Sequence, residues 1–252
     1  MTAEVSTTES SISQSAMSES ANRVTPAKAA KAAKPPLLLV SRSSTIIGLT
    51  VGATLNLGAA LLTQAFLGPG GDFAAALSER PTLGIASALL NLVGIPLMLL
   101  GLTGLLYLSS PRAPISSRIA LWATAIGMIA FLAKSAALAA LYGAGAAAAP
   151  AVPTAILDSI SGKGDPIPMV LALLFLAGNV IGILFASFAF FRSRIIPLWV
   201  TLALLVFLVG DFALPAVPWF DAHALFVVFA IGASIAVART TRDAWRLGTF
   251  VD

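Results

Sequence analysis

Six stretches of apolar residues recur along the chain, separated by segments that contain charged residues, proline or glycine. A helix needs about 20 mainly apolar residues to cross a hydrocarbon core of about 30 Å. All six stretches approach that length, although the last is short. The pattern predicts an all-α integral membrane protein, a six-helix transmembrane bundle with spans at about residues 45–67, 84–108, 119–143, 168–191, 195–214 and 222–238.

The separating segments contain residues that hydrocarbon does not accommodate. Residues 68–72 have the sequence GPGGD and end the first span, and residues 111–114, PRAP, lie between the second and third spans. Residues 192–194, RSR, divide what would otherwise be one long apolar run. Because charges and paired helix breakers are costly in lipid, these segments favour six separate spans.

The same pattern divides the chain into three regions. Residues 1–36 are rich in Ser, Thr, Ala and Lys without apolar periodicity, which predicts a disordered cytoplasmic tail. The bundle occupies residues 37–238, and residues 239–252 form a second cytoplasmic tail. In the two longer connections, Asp72 and Thr154 precede short apolar runs, so each is the expected N-cap of a short interfacial helix.

Composition supports lipid as the solvent and removes several kinds of chemistry. The chain is 58% hydrophobic and 10% charged, whereas soluble domains are about 25% charged. It has no cysteine, which excludes disulfides, thiolate catalysis and Cys-ligated metals. Its single histidine, His223, excludes a site that needs two imidazoles from one chain.

Basic residues predict the orientation, because loops rich in Lys and Arg remain cytoplasmic. Of the 15 basic residues, 12 fall in the two tails and in the connections after spans two and four, all on one side of a six-span bundle. The other side has only Arg80 and Lys163, beside six acidic residues. We expect both termini in the cytoplasm. The layout resembles that of small six-span bacterial membrane proteins, which indicates a bacterial-type plasma (inner) membrane.

Strongly polar residues within the spans lie on faces otherwise made of small residues. Asn56, Asn91 and Asn179 each share a face with glycines, alanines or serines at helical spacing. Small residues let helices approach closely, and polar side chains on such faces bond across the interface. We therefore expect the three asparagines to point into the bundle. The same faces contain two small-xxx-small motifs, Gly48 with Gly52 and Gly178 with Gly182.

The depth of these residues predicts an outward-facing polar crevice. With a rise of about 1.5 Å per residue, Asn56 and Asn179 fall near the middle of their spans and form the expected floor. The remaining polar residues lie toward the extracytoplasmic side. The candidate ligand-binding residues are Asn56, Asn91, Lys134, Asn179, Asp211 and His223.

Lys134 needs a partner or a route to water, because a charged ammonium at this depth is costly. Asp211 is the only carboxylate within reach of the bilayer interior, and it lies on the side toward which Lys134 would extend. We predict an ion pair between Lys134 and Asp211. The alternative is a lysine that snorkels to the outer headgroups along the surface of span three.

Motifs of enzymes and cofactor sites are absent, including the Walker lysine motif, HExxH and GxSxG. We expect no cofactor and no metal, and nothing indicates nucleic acid. Asp221 is the expected N-cap of span six, and His223 an interfacial histidine that is bonded locally. Enzymatic function is disfavoured, although an Asp/Lys or Asp/His acid–base pair stays open.

Three functions remain in competition. The first is binding or transport of a small polar or amphipathic ligand from the extracytoplasmic side. Transport by six compact helices would call for a homodimer or a membrane partner subunit, with the lipid bilayer as the common environment. The second is a non-catalytic accessory, immunity or scaffold protein, whose polar residues only fix helix packing. The third is an outer-leaflet enzyme acting on lipid headgroups through Asp211 and His223.

Overall fold

The computed structural model describes residues 40–68, 73–147, 166–212, 221–242 and 245. All regular structure in these ranges is helical, with no strand. The predicted tail at residues 1–36 and the predicted cap Thr154 lie outside the described residues, as does the cap Asp72. The helix expected after Asp72 is present. The helices are α1 (Arg42–Leu67), α2 (Phe73–Glu79), α3 (Pro81–Ser109), α4 (Pro114–Ala147), α5 (Pro166–Ser193), α6 (Leu198–Phe212) and α7 (His223–Arg239).

Four of the helices, α1, α3, α4 and α5, are long and apolar enough to cross a membrane. Helices α6 and α7 are apolar but shorter, with 15 and 17 residues. Large apolar side chains on the outer surface are widely exposed, as at Trp122, Ile129 and Phe188. Such a surface suits a lipid environment rather than water. The architecture is that of a helical membrane protein.

Proline and serine residues determine where the helices begin. Helices α3, α4 and α5 each start at a proline, whose fixed φ suits the first turn and whose missing N–H is not needed there. Helix α1 starts with a capping box, in which the Ser41 hydroxyl accepts from the Ser44 N–H at 3.0 Å. It ends at Gly68, whose φ of 66° favours glycine.

The six longer helices form a closed ring. Each of them packs on the next in the order α1, α3, α4, α5, α6 and α7, and α7 packs back on α1. Short helix α2 contacts α1, α3 and α4. Neighbouring helices are antiparallel; for example, Gln64 of α1 bonds Asp221 before α7, while Arg42 of α1 bonds Ala238 at the end of α7. The start of α1 and the end of α7 therefore lie on the same side of the described bundle.

Glycines allow the closest helix contacts, as the small faces predict. A Cβ on Gly48 of α1 would lie 2.8 Å from the backbone nitrogen of Gly101 in α3. A Cβ on Gly178 of α5 would lie 2.6 Å from the backbone nitrogen of Gly127 in α4. Both small-xxx-small motifs thus lie where two backbones touch, which is the packing that a membrane bundle uses in place of large side chains.

Arginines gather on the side of the bundle where α1 begins and α7 ends. We name this side the arginine end. Arg112 Nη1 donates to the Ser193 carbonyl at 2.9 Å, and Arg192 Nε donates to the Arg112 carbonyl at 3.1 Å. These bonds join the start of α4 to the end of α5. Arg42 Nη2 donates to the Ala238 carbonyl at 2.8 Å. The opposite end, which we name the polar end, contains Asp211 and Asp221.

Candidate functional site

A cavity of about 400 Å³ lies at the polar end between α1, α3, α4, α6 and α7. We name it the polar cavity. Apolar residues such as Ala60, Phe131 and Leu138 form part of its wall. Its polar lining consists of Asn56, Thr63, Gln64, Ser87, Asn91, Lys134, Ser135, Tyr142, Asp211, Asp221 and His223.

The structure brings five of the six candidate residues to this one cavity: Asn56, Asn91, Lys134, Asp211 and His223. The sixth, Asn179, lines a separate pocket of about 40 Å³ toward the middle of the bundle, which Asn56, Asp211 and His223 also line. The expectation that the asparagines point inward is confirmed. Asn56 and Asn179 are 4% and 3% exposed, and Asn91 is half-buried in the cavity wall.

Amide and hydroxyl groups join α1 to α3 along the cavity. Asn56 Nδ2 donates to Asn91 Oδ1 at 3.1 Å, and the hydroxyls of Thr63 and Ser87 share a hydrogen bond of 2.7 Å. Ser87 also donates to the Ala59 carbonyl at 2.8 Å. Among the described residues the side-chain nitrogen of Asn91 has no hydrogen-bond acceptor. This nitrogen is therefore left to bind water or a ligand.

Asn179 has a different environment from the other two asparagines. Its side-chain nitrogen donates to the Phe175 carbonyl one turn earlier, at 2.9 Å. The side chain also packs against Gly127 of α4, since a Cβ on that glycine would lie 2.7 Å from Asn179 Nδ2. Asn179 therefore occupies the α4–α5 contact as well as the small inner pocket.

The carboxylate of Asp221 is the centre of a second cluster. Its Oδ1 accepts the backbone N–H of His223 at 2.8 Å and lies 2.8 Å from His223 Nδ1. Its Oδ2 accepts from Gln64 Nε2 at 2.7 Å, which ties α1 to the start of α7. Asp211 Oδ1 lies 3.7 Å from the same His223 nitrogen. The expected local bonding of His223 is confirmed.

The predicted N-cap of span six is wrong by one position. Ala222 occupies the N-cap of α7 and has no side-chain capping bond. Asp221 lies one residue earlier, but its carboxylate still accepts the N–H of the first helical residue. Although Asp211, Asp221 and His223 are close together, the described residues include no group of three such side chains arranged to hold a metal ion.

The predicted ion pair between Lys134 and Asp211 is also wrong: within the described part of the chain no contact of 4.0 Å or less joins them. Lys134 is exposed, and its Nζ lies 6.0 Å from the centre of the Phe175 ring. Both residues line the polar cavity, but their helices are not neighbours in the ring, since α5 lies between α4 and α6. Phe175 packs on Phe131 of α4 and Phe212 of α6, at 4.6 and 5.8 Å between ring centres.

The six candidate residues did not include Gln64 and Ser135, which line the polar cavity, or Phe175, which lines the smaller inner pocket. Gln64 lies eight residues after Asn56, and that spacing places both on one helix face. Ser135 follows Lys134 directly and is 2% exposed. The helical period could have indicated Gln64, but nothing in the pattern shows that Phe175 packs between Phe131 and Phe212.

Hydrogen bonds from His223 control the ionisation of Asp221. Burial alone would raise the pKa of Asp221, but the side-chain and backbone hydrogen bonds from His223, with its charge, hold that pKa below the ordinary value. A carboxylate with a lowered pKa stabilises the folded state above its ordinary pKa. The contribution is lost as the pH falls through the lowered pKa.

We therefore expect Asp221→Asn to reduce the free energy of unfolding by about 1 kcal/mol near neutral pH, since hydrogen bonds to a charged acceptor are lost. The difference from wild type should shrink below about pH 4, the ordinary pKa of an aspartate, and disappear as the pH falls through the lowered pKa of the folded state. Unfolding of both proteins in detergent at several pH values between pH 3 and pH 7 measures this difference. Glu79→Gln is the control: the contact of Glu79 with Arg80 is exposed to solvent, so this change should have a much smaller effect. If the difference between wild type and Asp221→Asn does not depend on pH, the lowered pKa of Asp221 is contradicted.

The comparisons with known proteins give no relative: the chain matches no protein-family model, no curated protein and no solved structure.

Proposed function

We propose that this protein binds, and in an assembled form transports, a small polar or amphipathic ligand that enters the polar cavity from the extracytoplasmic side. The proposal includes six membrane spans with both ends of the bundle in the cytoplasm of a bacterial-type cell. It includes a homodimer or a partner subunit where transport is concerned. The observation that carries it is the convergence of charged and amide side chains on one cavity at the polar end.

The ring of six antiparallel helices supports the six-span topology. An even number of passes returns the chain to its starting side, and Arg42 and Ala238 are in contact. Because arginines dominate that end, the positive-inside rule favours the cytoplasm for it. Helix α6, with 15 residues, is about 22 Å long. Such a helix would span a locally thinned bilayer, an adjustment of modest cost.

Two features of the polar cavity favour a small ligand. Its volume of about 400 Å³ falls within the usual range of about 300–1,000 Å³ for small-molecule sites. Its charges are divided, with Lys134 on the α4 side and Asp211 on the α6 side, and the two are not paired with each other. A zwitterion, with an anionic group near Lys134 and a donor near Asp211, would satisfy both walls.

Two alternatives keep specific support. The bonds from Asn56 to Asn91 and from Thr63 to Ser87 satisfy these side chains within the bundle, as an accessory or scaffold protein would require. For an outer-leaflet headgroup enzyme, the support is the contact of His223 Nδ1 with Asp221 at 2.8 Å. A carboxylate there would orient the imidazole and leave Nε2 as a general base.

The test is a thermal-unfolding screen of the purified protein in detergent against amino acids, betaines, dicarboxylates and diamines. At 100 times its Kd, a true ligand stabilises the folded state by about 2.7 kcal/mol. We expect at least one zwitterion to do so, and expect Lys134→Ala and Asp211→Ala to remove the effect. Arg118→Ala, an exposed arginine at the other end, is the matched control and should keep it.

The scaffold alternative predicts a different result. In that case no compound stabilises the wild type, and the only effect of Asn56→Leu is a smaller amount of folded protein. Turnover of a reconstituted phospholipid headgroup that is lost in His223→Ala would instead support the enzyme.

A further inference from the structure

A second cavity, of about 790 Å³, lies at the arginine end between the end of α5, the start of α6 and the end of α7. We name it the arginine cavity. Arg192, Arg194 and Arg239 line it, and all three are exposed. No acidic residue is among the described residues that line it. It therefore concentrates positive charge in a concave site between helices.

The backbone around the arginine cavity adds to this positive potential. Helix α6 begins at Leu198, a lining residue, so its first N–H groups and the positive end of its dipole face this region. Arg194 has a φ of 55°, the only positive φ at a non-glycine residue in the described ranges. This left-handed turn lets the chain reverse between α5 and α6, with Arg192 and Arg194 both at the rim.

Thr201 provides a separate observation. Its side chain is 97% buried and lines the arginine cavity, yet within the described structure Oγ1 has no hydrogen-bond partner. Five other helical threonines of this bundle donate to the carbonyl four residues earlier: Thr45, Thr50, Thr54, Thr63 and Thr103. Three other buried atoms of the described structure also have no partner, Ser187 Oγ, Ser234 Oγ and Trp245 Nε1, but only Thr201 of the four lines the arginine cavity. A buried hydroxyl without a partner calls for one.

The apolar part of the arginine cavity points to a lipid rather than to a free anion. Phe191 and Leu198 line the cavity, and 62% and 55% of their surfaces are exposed. Phe188, one turn before Phe191, is 56% exposed. Acyl chains would cover these side chains, whereas inorganic phosphate would leave them bare.

We propose that the arginine cavity binds an anionic phospholipid, with its phosphate held by Arg192, Arg194 and Arg239 and its acyl chains along Phe191 and Leu198. Arginine suits this role because its planar donors match phosphate oxygens. Three arginines without a lining carboxylate repel the ammonium of a choline headgroup and accept a net negative one. The site is independent of the polar cavity, and it faces the cytoplasmic leaflet if the proposed orientation holds.

The experiment is native mass spectrometry of the full chain in detergent, titrated with phosphatidylglycerol or phosphatidylcholine, each alone and with inorganic phosphate in excess. We expect wild type to retain phosphatidylglycerol in preference to phosphatidylcholine. In Arg194→Gln/Arg239→Gln the affinity for phosphatidylglycerol should fall about thirtyfold. Arg118→Gln, at the same end but outside the cavity, should change it by less than about twofold.

Three outcomes would overturn the proposal. The first is equal retention of the two lipids by wild type. The second is an equal loss of affinity for phosphatidylglycerol in the double variant and in Arg118→Gln. The third is displacement of the lipid by inorganic phosphate at comparable concentration. The last would show a free-phosphate site. The comparison of the two lipids on wild type decides the question even where the double variant fails to fold. Thermal unfolding of the variant in the presence of phosphatidylcholine alone detects such a failure.

Discussion

Gly178→Ala is expected to destabilise the bundle by about 2–3 kcal/mol and to lower the yield of folded protein. The added Cβ would lie 2.6 Å from the Gly127 nitrogen, 2.7 Å from the Gly127 Cα and 2.8 Å from the Ala123 carbonyl oxygen. All three are backbone atoms, which cannot rotate away as a side chain can. Helices α4 and α5 would have to separate, and packing would be lost along their whole contact. Unfolding in mixed micelles measures the change.

The matched control is Gly143→Ala on α4. A Cβ at Gly143 would meet no atom within 4 Å, so the change adds a methyl group in open space. Alanine is the better helix former by about 1 kcal/mol, and the variant should be as stable as wild type or slightly more so. Equal losses in the two variants would mean that the close α4–α5 contact does not support the fold.

Labelling of a single cysteine should be nearly complete at Ala60→Cys and nearly absent at Ala53→Cys. The chain has no native cysteine, so each variant carries one thiol. Ala60 lines the polar cavity, whereas Ala53, seven residues earlier on α1, is 1% exposed and lines none of the cavities described above. A charged methanethiosulfonate reagent added to intact cells reports which thiol water reaches. Lys134 lines the same cavity and favours the reactive thiolate.

The side from which Ala60→Cys reacts separates two parts of the proposal. Reaction from outside supports both the open cavity and the orientation with the arginine end in the cytoplasm. Reaction only after permeabilisation would leave the cavity in place but reverse the orientation. Absence of reaction under either condition would contradict a water-filled crevice and favour the scaffold alternative.

Most helix bounds could be predicted because they depend on local properties. The predicted first span, 45–67, corresponds to α1 at Arg42–Leu67, and the predicted fourth, 168–191, to α5 at Pro166–Ser193. Prolines and capping residues act within one turn of the chain, so their effect is visible in the sequence. The inward orientation of Asn56 and Asn179 followed from the helical period for the same reason.

Contacts between distant helices were harder to predict. The ion pair between Lys134 and Asp211 was inferred from depth alone, and depth does not show which helices are neighbours. The position of Asn179 in a smaller pocket has the same cause, because Asn179 lies at the α4–α5 contact. The convergence of Arg194 and Arg239 on one cavity was not predicted, because Arg194 follows α5, Arg239 ends α7, and no local pattern relates them.

Local properties of the sequence were enough to predict a helical and apolar protein, the approximate bounds of its helices, the faces that are small and polar, and the shared end of its described arginines other than Arg80. These are consequences of hydrophobicity, helical period and charge, which operate over short distances along the chain. The order of the helices around the ring is visible only in the folded structure. That order placed Lys134 and Asp211 on separate walls and formed a cavity at each end, because side-chain packing between helices, rather than any local pattern, selects each helix's neighbours.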